Sequence, residues 1–355
     1  MAVPLVCLKC GKPLEEHNQK LICNVCGVEW PIVDGVPRFI PESYYWGEIP
    51  QDRMQQVNQS ALETNWRDAI KTYVAGPYPD IYQYVINHNR ADFSFFAPLQ
   101  PDSVALDIGS GWGTISCLLA ARYETVISVE SVWERIDFLR IRAQQEGLYN
   151  IQPLQATFLE LPIPESSLDL VVLNGVLEWI GIASDTDTPD GLQQKVLKKI
   201  YSCLKPGGTL YIGIENRLAY NYFFGAPDHS DLPFTSLVPR WMANWIMQRK
   251  SQQSRRTTRA SGAYRTYTYS YWGYKSLLRK TGYSDIRIYI VLPDYNNPAY
   301  IIPTDNPRAF AYTIHQLYSG ASLKRRVVQF IGNRLASWNL QNVFAPCFGI
   351  YATKI

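Results

Sequence analysis

Short, nearly unbroken apolar runs recur from residue 104 onward, separated by stretches with helical spacing. The runs cover residues 104–108, 125–130, 151–154, 168–173, 209–215, 285–292 and, at the close of the chain, 348–354. Runs of this length bounded by polar turns read as strands buried on both faces of a parallel sheet. Between them, residues 114–122, 133–145 and 192–204 read as helices, the first carrying Ile115, Leu118 and Leu119 on one face. Alternating strands and helices predict an α/β fold. Upstream, residues 52–74 carry the stripe Met54, Val57, Ala61, Leu62 and Trp66, and residues 81–96 resume after the break at Gly76-Pro77-Tyr78-Pro79. These two helices either form a lid over a ligand or pack against the sheet.

The strand at 104–108 leads into Asp107-Ile108-Gly109-Ser110-Gly111-Trp112-Gly113, an acid followed by glycines at alternate positions. Glycine lets the backbone approach a ligand closely, and the helix that follows begins with free N–H groups. A dinucleotide fingerprint reads G-x-G-x-x-G; here the third glycine comes one place early and Thr114 follows it. Asp107 suits a cationic, amine-bearing ligand better than a pyrophosphate. Glu130 ends the next strand 21 residues after Gly109, where a carboxylate can accept ribose hydroxyls.

The stretch 106–113 resembles motif I of the class I S-adenosylmethionine-dependent methyltransferases. Glu130 matches their acidic motif II position, and Leu204-Lys205-Pro206-Gly207-Gly208 resembles the turn before their fifth strand. The resemblance covers roughly residues 100–355 and implies a Rossmann-like, seven-stranded sheet with helices on both faces. It implies S-adenosylmethionine as cofactor, held by Asp107, Gly109, Ser110, Gly111, Gly113, Glu130, Ser131, Thr157, Phe158, Asn174 and Gly175. Many members carry Asp at position 157 to accept the adenine amino group. Thr157 departs from that pattern, leaving the contact to its hydroxyl or to a backbone group. The Asn/Asp-Pro-Pro-aromatic signature of enzymes that methylate exocyclic amino groups of bases is absent from 174–179.

Near the N-terminus, Cys7-Leu8-Lys9-Cys10 and Cys23-Asn24-Val25-Cys26 form two C-x-x-C units, each followed by glycine. Two such knuckles close a tetrahedral site, so Cys7, Cys10, Cys23 and Cys26 are expected to hold a structural zinc ion. A segment of about 40 residues lacks a core without such a staple. The following Trp30-Pro31-Ile32-Val33-Asp34-Gly35-Val36-Pro37 resembles the Trm112-like zinc ribbons that sit beside methyltransferases or are fused to them. The expected layout is a ribbon over 1–41, a helical lid or linker over 42–100, and a methyltransferase domain over 101–355 with a helical, aromatic-rich insertion at 216–273.

Hydrophobic residues make up 46% and charged residues 18% of the 355, the balance of a globular protein with ample core. The longest apolar region, 168–183, is interrupted by Asp169, Asn174 and Glu178 and cannot span a bilayer. Paired cysteines and no visible signal peptide predict a cytoplasmic protein. The net charge of +3 excludes a chain that binds polyanions throughout, but one segment is strongly basic. Between Asp231 and Asp285 there are ten basic residues and no acid, interleaved with six tyrosines and Trp272. This segment either recognises phosphate or other negative charge on the acceptor or is a solvated arginine-rich loop. A basic amphipathic helix at 322–338 can touch a membrane surface or pack into the core.

Methyl transfer from a sulfonium is a direct displacement that needs an aligned nucleophile and, for a hydroxyl, a base. Among His17, His88, His229 and His315, the third sits beside Asp228 in the loop after the fifth strand. Asp228 either orients His229 as a base or caps a turn. Glu178 and Tyr222 are further catalytic candidates. The combination of features resembles bacterial methyltransferases of sugars, lipid-linked glycans and secondary metabolites. It favours O-methylation, or N-methylation, of a small-molecule or glycan acceptor. An RNA methyltransferase using the ribbon and the basic insertion, and a catalytically idle cofactor-binding protein, are the alternatives.

Overall fold

The computed structural model describes residues 3–40, 44–97, 99–250, 263–320 and 322–355. The N-terminal segment is a four-stranded antiparallel sheet of β1 (Glu15–His17), β2 (Lys20–Ile22), β3 (Glu29–Val33) and β4 (Val36–Pro37). Helices α1 (Gln51–Glu63), α2 (Trp66–Tyr73) and α3 (Pro79–Ile86) follow. The single helix expected over 52–74 is divided because the Asn65 side chain accepts the Asp68 N–H and caps α2. The helix expected over 81–96 stops at Ile86, where Asn87 turns extended and caps a 3-10 segment, His88–Phe96.

Strands and helices then alternate: β5 (Val104–Ile108), α4 (Thr114–Ala120), β6 (Thr125–Glu130), α5 (Trp133–Gln145), β7 (Ile151–Gln155), β8 (Leu168–Asn174), α6 (Pro189–Cys203) and β9 (Leu204–Glu215). After β9 come α7 (Tyr220–Phe223), α8 (Arg240–Lys250), α9 (Tyr271–Lys280), β10 (Ser284–Asp294) and β11 (Asn297–Pro303). The chain ends with α10 (Pro307–Leu317), α11 (Leu323–Ser337), α12 (Gln341–Phe344) and β12 (Cys347–Thr353). The large sheet runs β11-β10-β12-β9-β8-β5-β6-β7, with β5, β6, β7 and β8 parallel and β10 antiparallel to its neighbours. This is the expected mixed α/β architecture.

Among the described residues the large sheet has eight strands rather than seven. The eighth, β11, is an edge strand beginning Asn297-Pro298 and ending at Pro303, and prolines at an edge blur the sequence signal without preventing pairing. A second difference is the start of β9. Lys205-Pro206-Gly207-Gly208 was expected as a turn, yet Gly207 donates to the Lys354 carbonyl and Lys354 to that of Gly208. These bonds extend the strand back to Leu204.

The chain forms two compact units, residues 1–173 with 199–210 and 354–355, and residues 174–198 with 211–353. In the first, Asp107 pairs with Ser128 of β6 and Val172 of β8, which sets the glycine turn at the carboxyl end of β5. Helices α1 to α3 pack there through Met54, Val57, Ala61 and Trp66 against Trp112 and Phe138. The small sheet joins the same unit through Val6 N–H to the Pro162 carbonyl, Phe39 N–H to the Gln155 carbonyl, and Arg38 to the Gln155 side chain at 2.6 Å.

Candidate active site

In the first unit, Gly109, Gly111 and Gly113 all take left-handed φ values, +70°, +54° and +77°. A Cβ on Gly113 would lie 2.2 Å from Leu139 of α5, so this turn needs glycine for both conformation and close helix packing. Glu130, buried at the tip of β6, organises the turn. One carboxylate oxygen accepts the Gly111 N–H at 3.0 Å, and the other accepts those of Ser131 and Val132 at 2.8 and 3.0 Å. The Ser131 hydroxyl accepts a bond from Tyr44 at 2.8 Å, and its carbonyl accepts one from Gln155. Asp107 accepts the Ser116 hydroxyl at 2.7 Å, and burial pushes its carboxyl up to about 6. The Ser110 hydroxyl is buried without a hydrogen-bond partner.

Thr157 is engaged within its own turn. Its hydroxyl oxygen accepts the Glu160 N–H at 3.2 Å and closes the turn that contains half-buried Phe158.

The second unit holds the other candidates. Asn174 ends β8, its Oδ1 buried and unpartnered and its Nδ2 3.5 Å from Asn296. Gly175 follows with φ +69°, and a Cβ there would press on the Tyr295 ring at 3.1 Å. Glu178, Glu215 and His229 converge so that one donor atom from each lies within 4.8 Å of the others. His229 Nε2 is 3.2 Å from a Glu215 oxygen and 3.9 Å from a Glu178 oxygen. The 3.2 Å approach is an ion-pair contact rather than a directed hydrogen bond, since the imidazole N–H is not aligned on the carboxylate. The Trp179 ring packs on the imidazole at 4.7 Å.

Glu178 is fully buried, and neither of its oxygens accepts an aligned hydrogen bond. Burial, then the charge of Glu215, pushes it up to about 8. Burial disfavours a charged His229, but Glu215 and then Glu178 outweigh it and raise the imidazole to about 9. Burial likewise opposes ionisation of Glu215, which His229 overrides, holding that carboxyl below its usual range.

Of the two roles open to Asp228, orienting His229 or capping a turn, its contacts match the second. Asp228 accepts bonds from Ser230 N–H, the Ser236 hydroxyl at 2.5 Å and the Tyr264 hydroxyl at 3.1 Å, so it anchors the loop. Burial and the neighbouring acids drive the Tyr222 hydroxyl far above its ordinary range. Tyr222 therefore remains neutral and can donate but not act as a base.

Glu215 and Tyr295 were missed as site residues. The available signal was Glu215-Asn216-Arg217 at a strand's carboxyl end, where an acid faces ligand. Asn216 donates to the Val343 and Ala345 carbonyls and Arg217 to those of Ser236 and Val238, fixing the loop that carries His229. Tyr295 donates to Glu215 at 2.9 Å.

A cavity of about 430 Å³ opens beside Glu215, lined by Tyr220, Asn221, Tyr222, Asp294, Tyr295 and Asn296 among others. Among the described residues, no lysine or arginine lines it. Three described arginines of the basic segment are engaged elsewhere. Arg240 bonds the Thr268 carbonyl and stacks on Tyr267 at 3.7 Å, Arg249 lies 3.9 Å over Trp245, and Arg265 bonds the Gly181 and Asp187 carbonyls. Arg255, Arg256 and Arg259 lie outside the described residues.

In the ribbon, Cys7, Cys10, Cys23 and Cys26 converge with sulfur separations of 3.4 Å (Cys7–Cys26), 3.5 Å (Cys10–Cys23) and 3.8 Å (Cys10–Cys26). Zn–S bonds of about 2.3 Å in a tetrahedron place sulfurs about 3.8 Å apart, so the donor set fits zinc.

Residues 106–212 match the family described as Methyltransferase domain. The chain thus carries a methyltransferase domain, and the matched stretch takes in the glycine turn and Glu130. Among curated proteins it is similar to the ubiquinone biosynthesis O-methyltransferase of Rickettsia prowazekii, 26% identical over 164 residues, 46% of this chain and 55% of that protein. It is also similar to the trans-aconitate 2-methyltransferase of Methylobacterium radiotolerans, 27% identical over 124 residues, 34% of this chain and 42% of that protein. The chain thus spans little more than half the length of the first of these relatives. Among solved structures, phosphoethanolamine N-methyltransferase 2 of Haemonchus contortus in complex with S-adenosyl-L-methionine aligns at 16% identity and TM-score 0.44, covering 84% of this chain and 60% of that one. No helix among the described residues is long and apolar enough to cross a membrane.

Proposed function

We propose that the protein is an S-adenosylmethionine-dependent O-methyltransferase that methylates a hydroxyl of a small, non-anionic acceptor. The observation that carries this reading is the Glu178–Glu215–His229 cluster, whose Glu215 also forms a wall of the cavity. The O-methyltransferase names of the curated relatives support it. Bound S-adenosylmethionine supplies an electrophilic methyl group, and Asp107, the glycine turn and Glu130 would hold its amino and ribose ends. His229, in its neutral form, takes the proton of the acceptor hydroxyl. Glu215 then faces the imidazolium as its counter-charge, fixed by Tyr295. Glu178 tunes the same imidazole from the buried side.

The cavity lining argues for hydroxyl or amino groups on the acceptor rather than phosphate. Two carboxylates, tyrosines and amides bind polyols or cations, and no lysine or arginine among the described residues lines the cavity to neutralise an anion. The test is turnover of S-adenosylmethionine to S-adenosylhomocysteine with paired acceptors, each as the free alcohol and as its phosphate ester. Turnover is expected with the alcohols, and preference for the phosphates would refute this specificity.

We assign a structural zinc ion to the four N-terminal thiolates. Metal analysis of the purified protein should give about one zinc per chain, falling to none in a Cys10→Ser/Cys23→Ser variant. Because Gln155 bonds both Arg38 and the Ser131 carbonyl, the zinc-free variant should also bind S-adenosylmethionine more weakly. Full-length protein lacking zinc would remove the assignment.

A further inference from the structure

We propose that α11 is an interfacial helix that docks the protein on the surface of an anionic lipid bilayer. The helix is turned inside out relative to an ordinary surface helix. Its small residues face the protein: Gly332 and Ala336 are buried, and a Cβ on Gly332 would lie 2.7 Å from Ile314 of α10. Its large apolar residues face away, with Leu323 79%, Val327 47%, Phe330 61%, Ile331 43% and Trp338, just past its end, 64% exposed. Their spacing of four, three, one and seven residues places them on one stripe. Tyr312 of α10 is 66% exposed as well. The orientation is fixed by Gln329, which donates to the His315 and Tyr318 carbonyls, and by Arg325, which donates to that of Ser319.

Charge selects the occupant. After Asp305 the chain contains no acidic residue, only Arg308, Lys324, Arg325, Arg326, Arg334 and Lys354. Docking two copies through this face would bring Arg325, Arg326 and Arg334 of each together with no acid to pair them. An anionic bilayer accepts both halves of the pattern: the aliphatic and aromatic stripe enters the acyl boundary, while the arginines stay at the headgroups. Arg334 already lies 5.1 Å over Phe330, as expected for a side chain reaching along an apolar stripe.

The face is joined to the cavity through side chains. Tyr220, in the cavity wall, bonds Tyr318 at the end of α10. Exposed Phe223 packs on Phe344 of α12 at 5.6 Å, next to the fully exposed Phe224. An acceptor dissolved in a bilayer could reach the site from this side.

Co-sedimentation with phosphatidylcholine vesicles, with and without about one third phosphatidylglycerol, tests the proposal. The wild-type chain should pellet with the anionic vesicles, less so at high salt, and stay in the supernatant with the neutral ones. Phe330→Glu/Trp338→Glu and Arg326→Glu/Arg334→Glu variants change only exposed side chains. Each should bind anionic vesicles about tenfold more weakly or worse, with unchanged melting temperature and S-adenosylmethionine affinity. Absence of wild-type binding to anionic vesicles, or variants that bind as well as wild type, would overturn the proposal. So would light scattering that finds a wild-type dimer converted to monomer by the same substitutions, since the face would then belong to a second copy.

Discussion

His229→Ala is expected to lower the turnover number about a hundred- to ten-thousand-fold, the range for loss of a general base, while leaving S-adenosylmethionine affinity unchanged. In the proposed mechanism the imidazole serves the acceptor, whereas Glu130 and the glycine turn serve the cofactor, so the two losses should separate. The pH profile carries the same information. His229 titrates near 9, and only its neutral form accepts a proton, so kcat/KM should climb as pH rises through the neutral range and level off above about 9. Three coupled groups share these protons, so the limb reports the cluster rather than one residue. Glu178→Gln removes a negative neighbour that raises His229, so the limb should move to lower pH. A purely structural Glu178 would leave the limb in place and alter only stability. Unchanged turnover in His229→Ala would eliminate the proposed base.

Glu130→Ala should weaken S-adenosylmethionine binding by about a hundredfold or more. Its carboxylate accepts three backbone N–H groups, two of them from the loop entering α5 and one from the glycine turn. Hydrogen bonds to a charged acceptor contribute about 1.5–3 kcal/mol each, and removing the acceptor leaves buried donors unpaired. The ribose contact expected at this position is lost as well. Glu130→Gln keeps one oxygen acceptor and should fall between wild type and alanine in calorimetric affinity. Wild-type affinity in the alanine variant would show that β6 does not carry the cofactor end. A lowered melting temperature alone would not explain a selective loss of binding in the glutamine variant.

The strands and the glycine turn of the first unit were legible because their signals are local. An apolar strand, an acid, glycines at alternate positions and a second acid 23 residues after the first are read directly along the chain. The two C-x-x-C units were legible for the same reason. What stayed hidden depends on contacts between distant residues. Asp228 stands next to His229 in sequence, yet Ser236 and Tyr264 hold it. Glu215 and Glu178, 14 and 51 residues before His229, take its place. The ten positive charges between Asp231 and Asp285 are plain in the composition, which does not reveal that Arg240 and Arg265 are engaged by carbonyls. The amphipathic pattern of α11 was visible, but whether its apolar face turned inward or outward depended on Gly332 packing against α10.

The central claim is that a hydroxyl, activated at His229, receives the methyl group. The most direct measurement supplies the purified protein with S-adenosylmethionine carrying a carbon-13 methyl and with hydroxylated acceptors that also bear an amine. Nuclear magnetic resonance of the product then identifies the atom that carries the label. The account predicts a labelled methyl ether, formed by the wild-type protein and absent with His229→Ala. A label on nitrogen, or a methyl ether formed equally well by the His229→Ala protein, would contradict it.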